Sequence, residues 1–467
     1  MKNNKLIAGI LRILTVNTIG LILGMVNNIV LPKFLSIDSY AQIKSYHLYY
    51  NFIGIFHLGT IDAVGLKYGG SKYTDSRNCE LSKEATSIRI FLIVEQIIMM
   101  TIAVVIGSKI ALFVCGTIFF TNLISYYKIL FQATGEFKRY SRIVFETSLL
   151  RFLSNIILIF GFHSDNYLTF ILLYVLSDVL IAMILEKKYA VYKSSPIKEI
   201  VTYIVSGIKN GFLLLSGNII VNLLSSIDRW FVNFGSKTNE FAFYSFAVTI
   251  EQILINLTKP FQISLYNYFC INRENTDEII KVRKYLTIIS SLLVSCFFPI
   301  EKFVIVCLRE YKASLPVLVL LFASQIWSVV VNSIYINLYK AHGKQNLYFK
   351  RVLAVVCIAV FLDTIGFAFW KSNITYAITT LISNIIWYII SCLDFQKYFP
   401  KLKEWMYIVV MTICFSTLGL TEGGLSDMLI YLFVVCILTC LLFKNELKII
   451  LLYMNNLCKK ICDKNRY

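Results

Sequence analysis

The chain has 467 residues, of which 57% are hydrophobic and 15% charged, with a mean hydropathy of +0.69 and a net charge of +18. A soluble domain carries about 25% charged residues, so a soluble globular enzyme is excluded. The apolar residues fall into blocks of about 20, the length that crosses ~30 Å of hydrocarbon at ~1.5 Å per residue.

The N-terminus, "MKNNKLIAGILRILTVNTIGLILG", imitates a secretory signal. Its apolar run continues to Val30 without a small-residue cleavage site, so an uncleaved first span is expected. Fourteen spans follow from the apolar periodicity: 10–32, 43–66, 88–107, 110–134, 142–162, 166–186, 211–235, 241–267, 286–307, 314–338, 350–370, 374–396, 405–420 and 425–443. The predicted fold is an all-α polytopic membrane protein. Its expected organisation is a six-helix lobe over 1–190, a basic linker over 191–210, a second six-helix lobe over 211–398, two added helices over 399–445 and a basic tail over 446–467. The linker contains Pro196 and a weakly amphipathic stretch around 197–207, which suits an interfacial segment.

Lys and Arg set the orientation. With the N-terminus inside, the cytoplasmic segments carry 33 of the 45 and the outer loops 8. Both termini are therefore expected in the cytoplasm, and the positive charge is a topological signal rather than a nucleic-acid one. The twelve Cys sit mostly in apolar blocks, and the close pairs Cys436/Cys440 and Cys458/Cys462 have no nearby His. No metal or cofactor is expected.

Polar residues within the spans are the candidate functional groups, because a mid-bilayer Asp or Arg costs roughly 2.5–3.5 kcal/mol on insertion scales. In span 7, Asn218, Asn222, Ser225 or Ser226, Arg229 and Asn233 recur every three to four residues and form one predicted stripe. Span 1 has a similar stripe of Asn17, Gly20, Gly24 and Asn28, with Arg12 below it. Asp228 adjoins Arg229, about 100° away on a helix, so the two do not face each other. Further charges are Asp62 near the cytoplasmic end of span 2, Glu95 in span 3, Glu146 and Arg151 in span 5, Asp178 in span 6 and Glu251 in span 8. Only Asp363 lies deep in a later span, so a central cavity is expected to belong chiefly to spans 1 to 8.

Each of these has a structural alternative. Arg12 and Lys259 lie near the cytoplasmic face, where snorkelling accounts for them. Asp62 suits a cap or an interfacial anchor. Glu146, Arg151, Asp178 and Glu251 suit interhelical pairs, and Asp228 with Arg229 suits a fold-fixing bridge to span 8 or 10. Aromatic-rich stretches such as "SYHLYYNFIGIF" suit an interface belt and packing.

Three stretches carry a family resemblance: "LPKFLSIDSYAQIKSYHLYYNFIGIF", "HLGTIDAVGLKYGG", and "SSIDRWFVNFGSKTNEFAFYSFAVTIEQIL" with its Asp-Arg, short turn and Tyr244, Ser245 and Ala247. With the basic segment before span 7, the chain resembles bacterial polysaccharide flippases, which move O-antigen or capsular repeat units and belong to the MATE-like superfamily. In the second stretch Ala63 and Val64 precede Gly65, a loose match to the family pattern.

The resemblance implies two six-helix bundles about a cavity that opens alternately to either side. The implied substrate is an undecaprenyl-diphosphate-linked oligosaccharide, carried from the cytoplasmic to the outer leaflet of the cytoplasmic (inner) membrane. On this reading Arg229 and Arg151, then Arg12 and Lys259, attract the diphosphate. Asn218 and Asn222 hydrogen-bond the sugars. Asp228, Asp178, Glu146, Glu251, Glu95 and Asp62 pair with the cations or exchange a coupling ion. No catalytic residue is expected and a monomer suffices. Implied partners are the lipid-linked substrate, membrane lipids, and candidate polymerase and chain-length proteins. The rival classes are a membrane-embedded polymerase or glycosyltransferase, which usually needs a larger outer loop, and a small-molecule exporter of the same superfamily.

Overall fold

A computed structural model describes residues 19–20, 22–69, 71, 79–190, 192–193, 195–272, 275–421, 423–444 and 446. Arg12, Asn17, the Cys458/Cys462 pair and nearly all of the expected tail lie outside the described residues. Those described are almost entirely helical, with no strand. Among the described residues, twelve helices are long and apolar enough to cross a membrane, so the chain is a polytopic helical membrane protein. They correspond to expected spans 3 to 14, span 7 with shifted bounds; the first two spans appear as shorter pieces. The chain divides into two compact units, 1–226 and 227–467.

In the first unit, α1 (Ile22–Phe34) leads to α2 (Ile37–Tyr50), which begins at a Ser36 cap whose hydroxyl accepts the Ser39 N–H. The expected second span is not one helix. After Tyr50 the chain passes through a tight turn of helix at Ile53–His57, then Leu58 (φ 46°) and Gly59 (φ 89°), before α3 (Thr60–Tyr68). Non-helical backbone survives at membrane depth only where its polar groups find partners. Here the Gly59 N–H donates to His57 Nδ1 (3.1 Å), the Thr60 hydroxyl to the His57 carbonyl (2.7 Å), and the Asn122 amide to the Ile53 carbonyl (3.4 Å).

The remaining helices of this unit are α4 (Cys79–Ile106), α5 (Lys109–Ala133), α6 (Phe137–Ile156), α7 (Tyr167–Tyr189) and α8 (Ile197–Leu224). A wider π-type turn at Ile157–Gly161 extends α6. Ile61, Val64, Leu92, Leu123, Phe131 and Ile181 share one buried core joining α3, α4, α5 and α7. Helix α8 lies against α3, with Gly211 on Gly59. A Cβ at either glycine would fall on the other's backbone, so the two helices meet main chain to main chain.

The expected linker and seventh span are repartitioned. Helix α8 runs unbroken from residue 197, through most of the expected linker, to Leu224. The expected span of 211–235 is then interrupted: the Ser225 and Ser226 hydroxyls both donate to the Asn222 carbonyl (2.9 and 2.7 Å), a local bonding pattern that competes with helix continuation. The division between units falls at the same place.

The second unit comprises α9 (Ile227–Gly235), α10 (Thr238–Asn272), α11 (Thr276–Val294), α12 (Phe297–Cys307), α13 (Leu315–Val330), α14 (Ile336–Ala341), α15 (Gln345–Phe369), α16 (Asn373–Asp394), α17 (Leu402–Gly419) and α18 (Leu425–Leu442). Pro316 sits in the first turn of α13, where its missing N–H costs nothing. Every residue from Leu321 to Val331 is buried, Gln325 and Ser328 included, as in a helix enclosed by its neighbours on all sides. Helix α13 is therefore the axis of this unit, packed by α10, α11, α16 and α17. Arg283 on α11 and Glu404 on α17 form a fully buried ion pair (2.8 Å) whose guanidinium also donates to the Tyr398 carbonyl.

Candidate functional site: a cationic cavity in the first unit

Of the intramembrane charges singled out in the sequence, two meet in the first unit. Arg151 on α6 and Asp178 on α7 form an ion pair at 3.2 Å. Tyr50, the last residue of α2, donates to Asp178 Oδ2 (2.8 Å), and Thr121 on α5 donates to the same oxygen (3.2 Å). The Arg151 guanidinium donates to the Tyr50 hydroxyl and lies over its ring, 4.6 Å from the centroid. Three elements thus converge on one carboxylate of α7, and each group stands in place because of a local sequence feature. Tyr50 is presented by the end of α2 at the interruption. Thr121, Ser125 and Lys128 are spaced by four and three residues, on one face of α5. Thr147 and Arg151 are four apart on α6.

These residues line a cavity of about 350 Å³, together with Asn51, Gly54 and Asn122. The interruption after Tyr50 supplies part of its wall, the setting in which irregular backbone is tolerated within a membrane. Arg151 and Lys128 against Asp178 leave one formal positive charge. The described protein atoms offer Arg151 Nε no hydrogen-bond partner, although it is buried. Chemically, the cavity can take an anion on its cations and hydroxyl groups on its Asn, Ser, Thr and Tyr side chains.

Asp228, on the first turn of α9, accepts the Tyr244 hydroxyl from α10 (2.6 Å), the Thr380 hydroxyl from α16 (3.4 Å) and the Arg229 N–H (2.8 Å). Its bond within α9 is thus to the Arg229 main chain, and the Arg229 side chain is half-exposed. The neighbouring Thr379 donates to buried Asp363 on α15, so adjacent threonines on α16 each bond a carboxylate from a different helix. Glu251 accepts the Gln325 amide (2.5 Å) within this unit, and Gln325 in turn accepts the Ser328 hydroxyl (2.7 Å).

The other expected site residues are dispersed. Glu146 pairs with Arg142 one turn earlier on the same helix (2.6 Å), not with another helix. Asp62 is buried in the first turn of α3 with His57 Nε2 at 3.8 Å. Glu95 is half-buried on α4, and Lys259 is exposed on α10. Asn218 and Asn222 are exposed on α8, separated from Arg229 and Asn233 by the break, so the predicted stripe is not one face of one helix. Sequence reasoning missed Tyr50, read as interface aromatic, and Lys128, which lies within expected span 4 without being singled out. The i, i+4, i+7 spacing of Thr121, Ser125 and Lys128 was the signal available for the latter.

A membrane-embedded helical bundle with a polar cavity of formal positive charge is the class that these features define. Compared with solved structures, the fold is similar to that of the lipid II flippase MurJ in an inward closed conformation, with a TM-score of 0.71 at 15% identity, covering 93% of this chain and 99% of that one. The overlap is weaker with a MOP superfamily transporter from Pyrococcus furiosus Vc1 (DSM3638): TM-score 0.46, 13% identity, 87% and 95% of the two chains. It is similar for an outward-facing multidrug resistance MATE family transporter (0.47, 15%, 87% and 95%). No protein-family model and no curated protein matches the sequence. The chain therefore has the fold of the lipid II flippase at a sequence distance where only the fold is shared ground.

Proposed function

We propose that the protein flips undecaprenyl-diphosphate-linked oligosaccharide repeat units from the cytoplasmic to the outer leaflet of a bacterial cytoplasmic membrane, by alternating access, for O-antigen or capsule synthesis. The observation that carries this reading is the cavity around Arg151, with one formal positive charge in excess and a wall of hydroxyl and amide groups. A diphosphate requires cations, and a guanidinium bonds phosphate oxygens in bidentate fashion. Sugars require the polar wall, while a prenyl chain can remain in lipid. The likeness of fold to a lipid II flippase and the family resemblance of the sequence support it. Arg151 and Lys128 hold the diphosphate in this reading, with Arg229, Arg12 and Lys259 assisting its passage. Asp228 and Asp363, with Tyr244, Thr379 and Thr380, provide a site for a coupling cation or proton. The protein is then a transporter rather than an enzyme, with both termini in the cytoplasm.

The test is deletion of the gene from its host, complemented with wild type, Arg151→Ala or Arg151→Lys at matched membrane levels. Single lipid-linked units should accumulate on the cytoplasmic leaflet in the deletion and with Arg151→Ala. Units that reach the outer leaflet but stay unpolymerised would instead mark an enzyme of assembly.

A further inference from the structure

The segment that joins α7 to α8 is fastened at three points beside α4. The Tyr192 hydroxyl donates to Glu186 Oε2 (2.5 Å), and the Arg89 guanidinium of α4 lies over the Tyr192 ring, 5.1 Å from its centroid. The Lys193 N–H donates to the Thr86 hydroxyl (3.2 Å). Lys83 Nζ donates to Glu199 Oε1 (2.7 Å), in the first turn of α8. Lys83, Thr86 and Arg89 are three residues apart in sequence and so follow one ridge of α4. Residues 192–199 therefore run along that ridge, in the direction opposite to α4.

What lies beneath this segment is firmly built. Arg89 Nε donates to both Glu186 oxygens (3.1 and 3.0 Å), and the Tyr127 hydroxyl of α5 donates to the same carboxylate (2.8 Å). With side chains only 6% and 16% exposed, the Arg89–Glu186 pair is a brace of α4 and α7 that is costly to break. The three fastenings above it are of another kind. Tyr192 is 67% exposed, and the side chains of Lys83 and Glu199 are 25% and 32% exposed. Ion pairs open to water are weak and are screened by salt.

Helix α8 is held accordingly in two unequal ways. Its buried residues, Gly207, Gly211 and Leu215, are four apart on one face, and the two glycines lie on Thr60 and Gly59. None of the described residues from 190 to 206 is buried. We infer that residues 192–199 form a releasable strap. Closed, it fixes the first ten residues of α8, 197–206, beside α4. Open, it lets them swing about the seat at Gly207–Leu215, while the Arg89–Glu186 brace and the packed helices below stay as they are. Exposed fastenings over a buried brace permit this, because local opening draws on the least buried contacts first. The inference does not depend on the transport reading.

Hydrogen–deuterium exchange of the purified full chain in phosphatidylcholine nanodiscs tests it, with residues 197–206 as the reporting segment and 123–131 in the core of α5 as the reference. Lys83→Glu sets two carboxylates against each other and speeds exchange at 197–206 about fivefold. Tyr192→Phe keeps the ring, loses the hydroxyl bond and speeds it about threefold. Lys83→Glu combined with Glu199→Lys restores the wild-type rate, which a general loss of packing would not. The reference segment is unchanged in all three. Should Lys83→Glu fail to fold, Tyr192→Phe and the charge exchange carry the test. Unchanged exchange at 197–206 in Tyr192→Phe, no recovery in the double variant, or equal acceleration at 123–131 overturns the strap.

Discussion

Arg151 and Asp178, 27 residues apart on consecutive helices, meet at 3.2 Å with Asp178 nearly sealed from solvent and the Arg151 side chain 29% exposed to the cavity. The acid is held by Tyr50 and Thr121 as well, whereas among the described residues Arg151 Nε has no hydrogen-bond partner. The pair is thus asymmetric: the carboxylate is sealed and committed to the fold, whereas the guanidinium is partly exposed at the cavity wall.

That asymmetry predicts a double-mutant cycle. Arg151→Ala strands a buried carboxylate and lowers stability by about 1–3 kcal/mol, below the ~3–5 kcal/mol of a fully buried pair because the guanidinium is partly exposed. Arg151→Ala combined with Asp178→Asn recovers at least part of the loss, whereas Arg151→Lys keeps stability but not transport. Thermal unfolding in detergent, read alongside leaflet assays, checks this. Additive losses in the double variant would show that the pair is not coupled.

The glycine contact between α3 and α8 predicts a sharp positional contrast. Gly59→Ala and Gly211→Ala each place a methyl group on the opposing main chain, and Gly59 also holds a left-handed φ of 89°. Both variants should fall below half the wild-type yield of folded protein. Gly207→Ala, four residues from Gly211, meets Thr60 only at 3.4 Å, ordinary contact. It should lie within about 0.5 kcal/mol of wild type, since alanine favours the helix. Size-exclusion profiles of all three, side by side, provide the measurement.

Asp228 is expected to act through acceptance rather than through pairing with Arg229. Asp228→Ala leaves the buried Tyr244 hydroxyl without its acceptor and costs about 1–3 kcal/mol. Tyr244→Phe removes the donor and costs less, because the carboxylate keeps Thr380 and the Arg229 N–H. If Tyr244→Phe proved as destabilising as Asp228→Ala, the acceptor role assigned to Asp228 would be wrong.

Arg283 and Glu404, 1% and 2% exposed in their side chains, tie α17 to α11. Replacing one partner leaves an uncompensated buried charge, so Arg283→Met should cost about 3–5 kcal/mol. Arg283→Met with Glu404→Leu should be markedly more stable than Arg283→Met alone, as judged by melting temperature.

Composition and spacing alone determined the membrane class, the position of most spans and the charges worth suspecting, because apolar length and the cost of intramembrane charge are properties of local chain segments. Arg151 and Asp178 were legible as candidates in this way. Their meeting was not, since it depends on α6 and α7 packing with Tyr50 at the break that follows α2. Hydropathy is blind to that break: Gly54, Leu58 and Gly59 lie in an apolar run, and only backbone angles and side-chain bonds reveal the turn. The same blindness merged α8 with α9, because Ser225 and Ser226 match helical spacing as sequence yet divert their hydroxyls to the Asn222 carbonyl as structure. Tertiary packing likewise turned Glu146 toward its own helix and Asp228 toward Tyr244. Which partner a buried charge takes is decided by distances of a few ångströms between segments far apart in the chain, and one-dimensional spacing carries no measure of those distances.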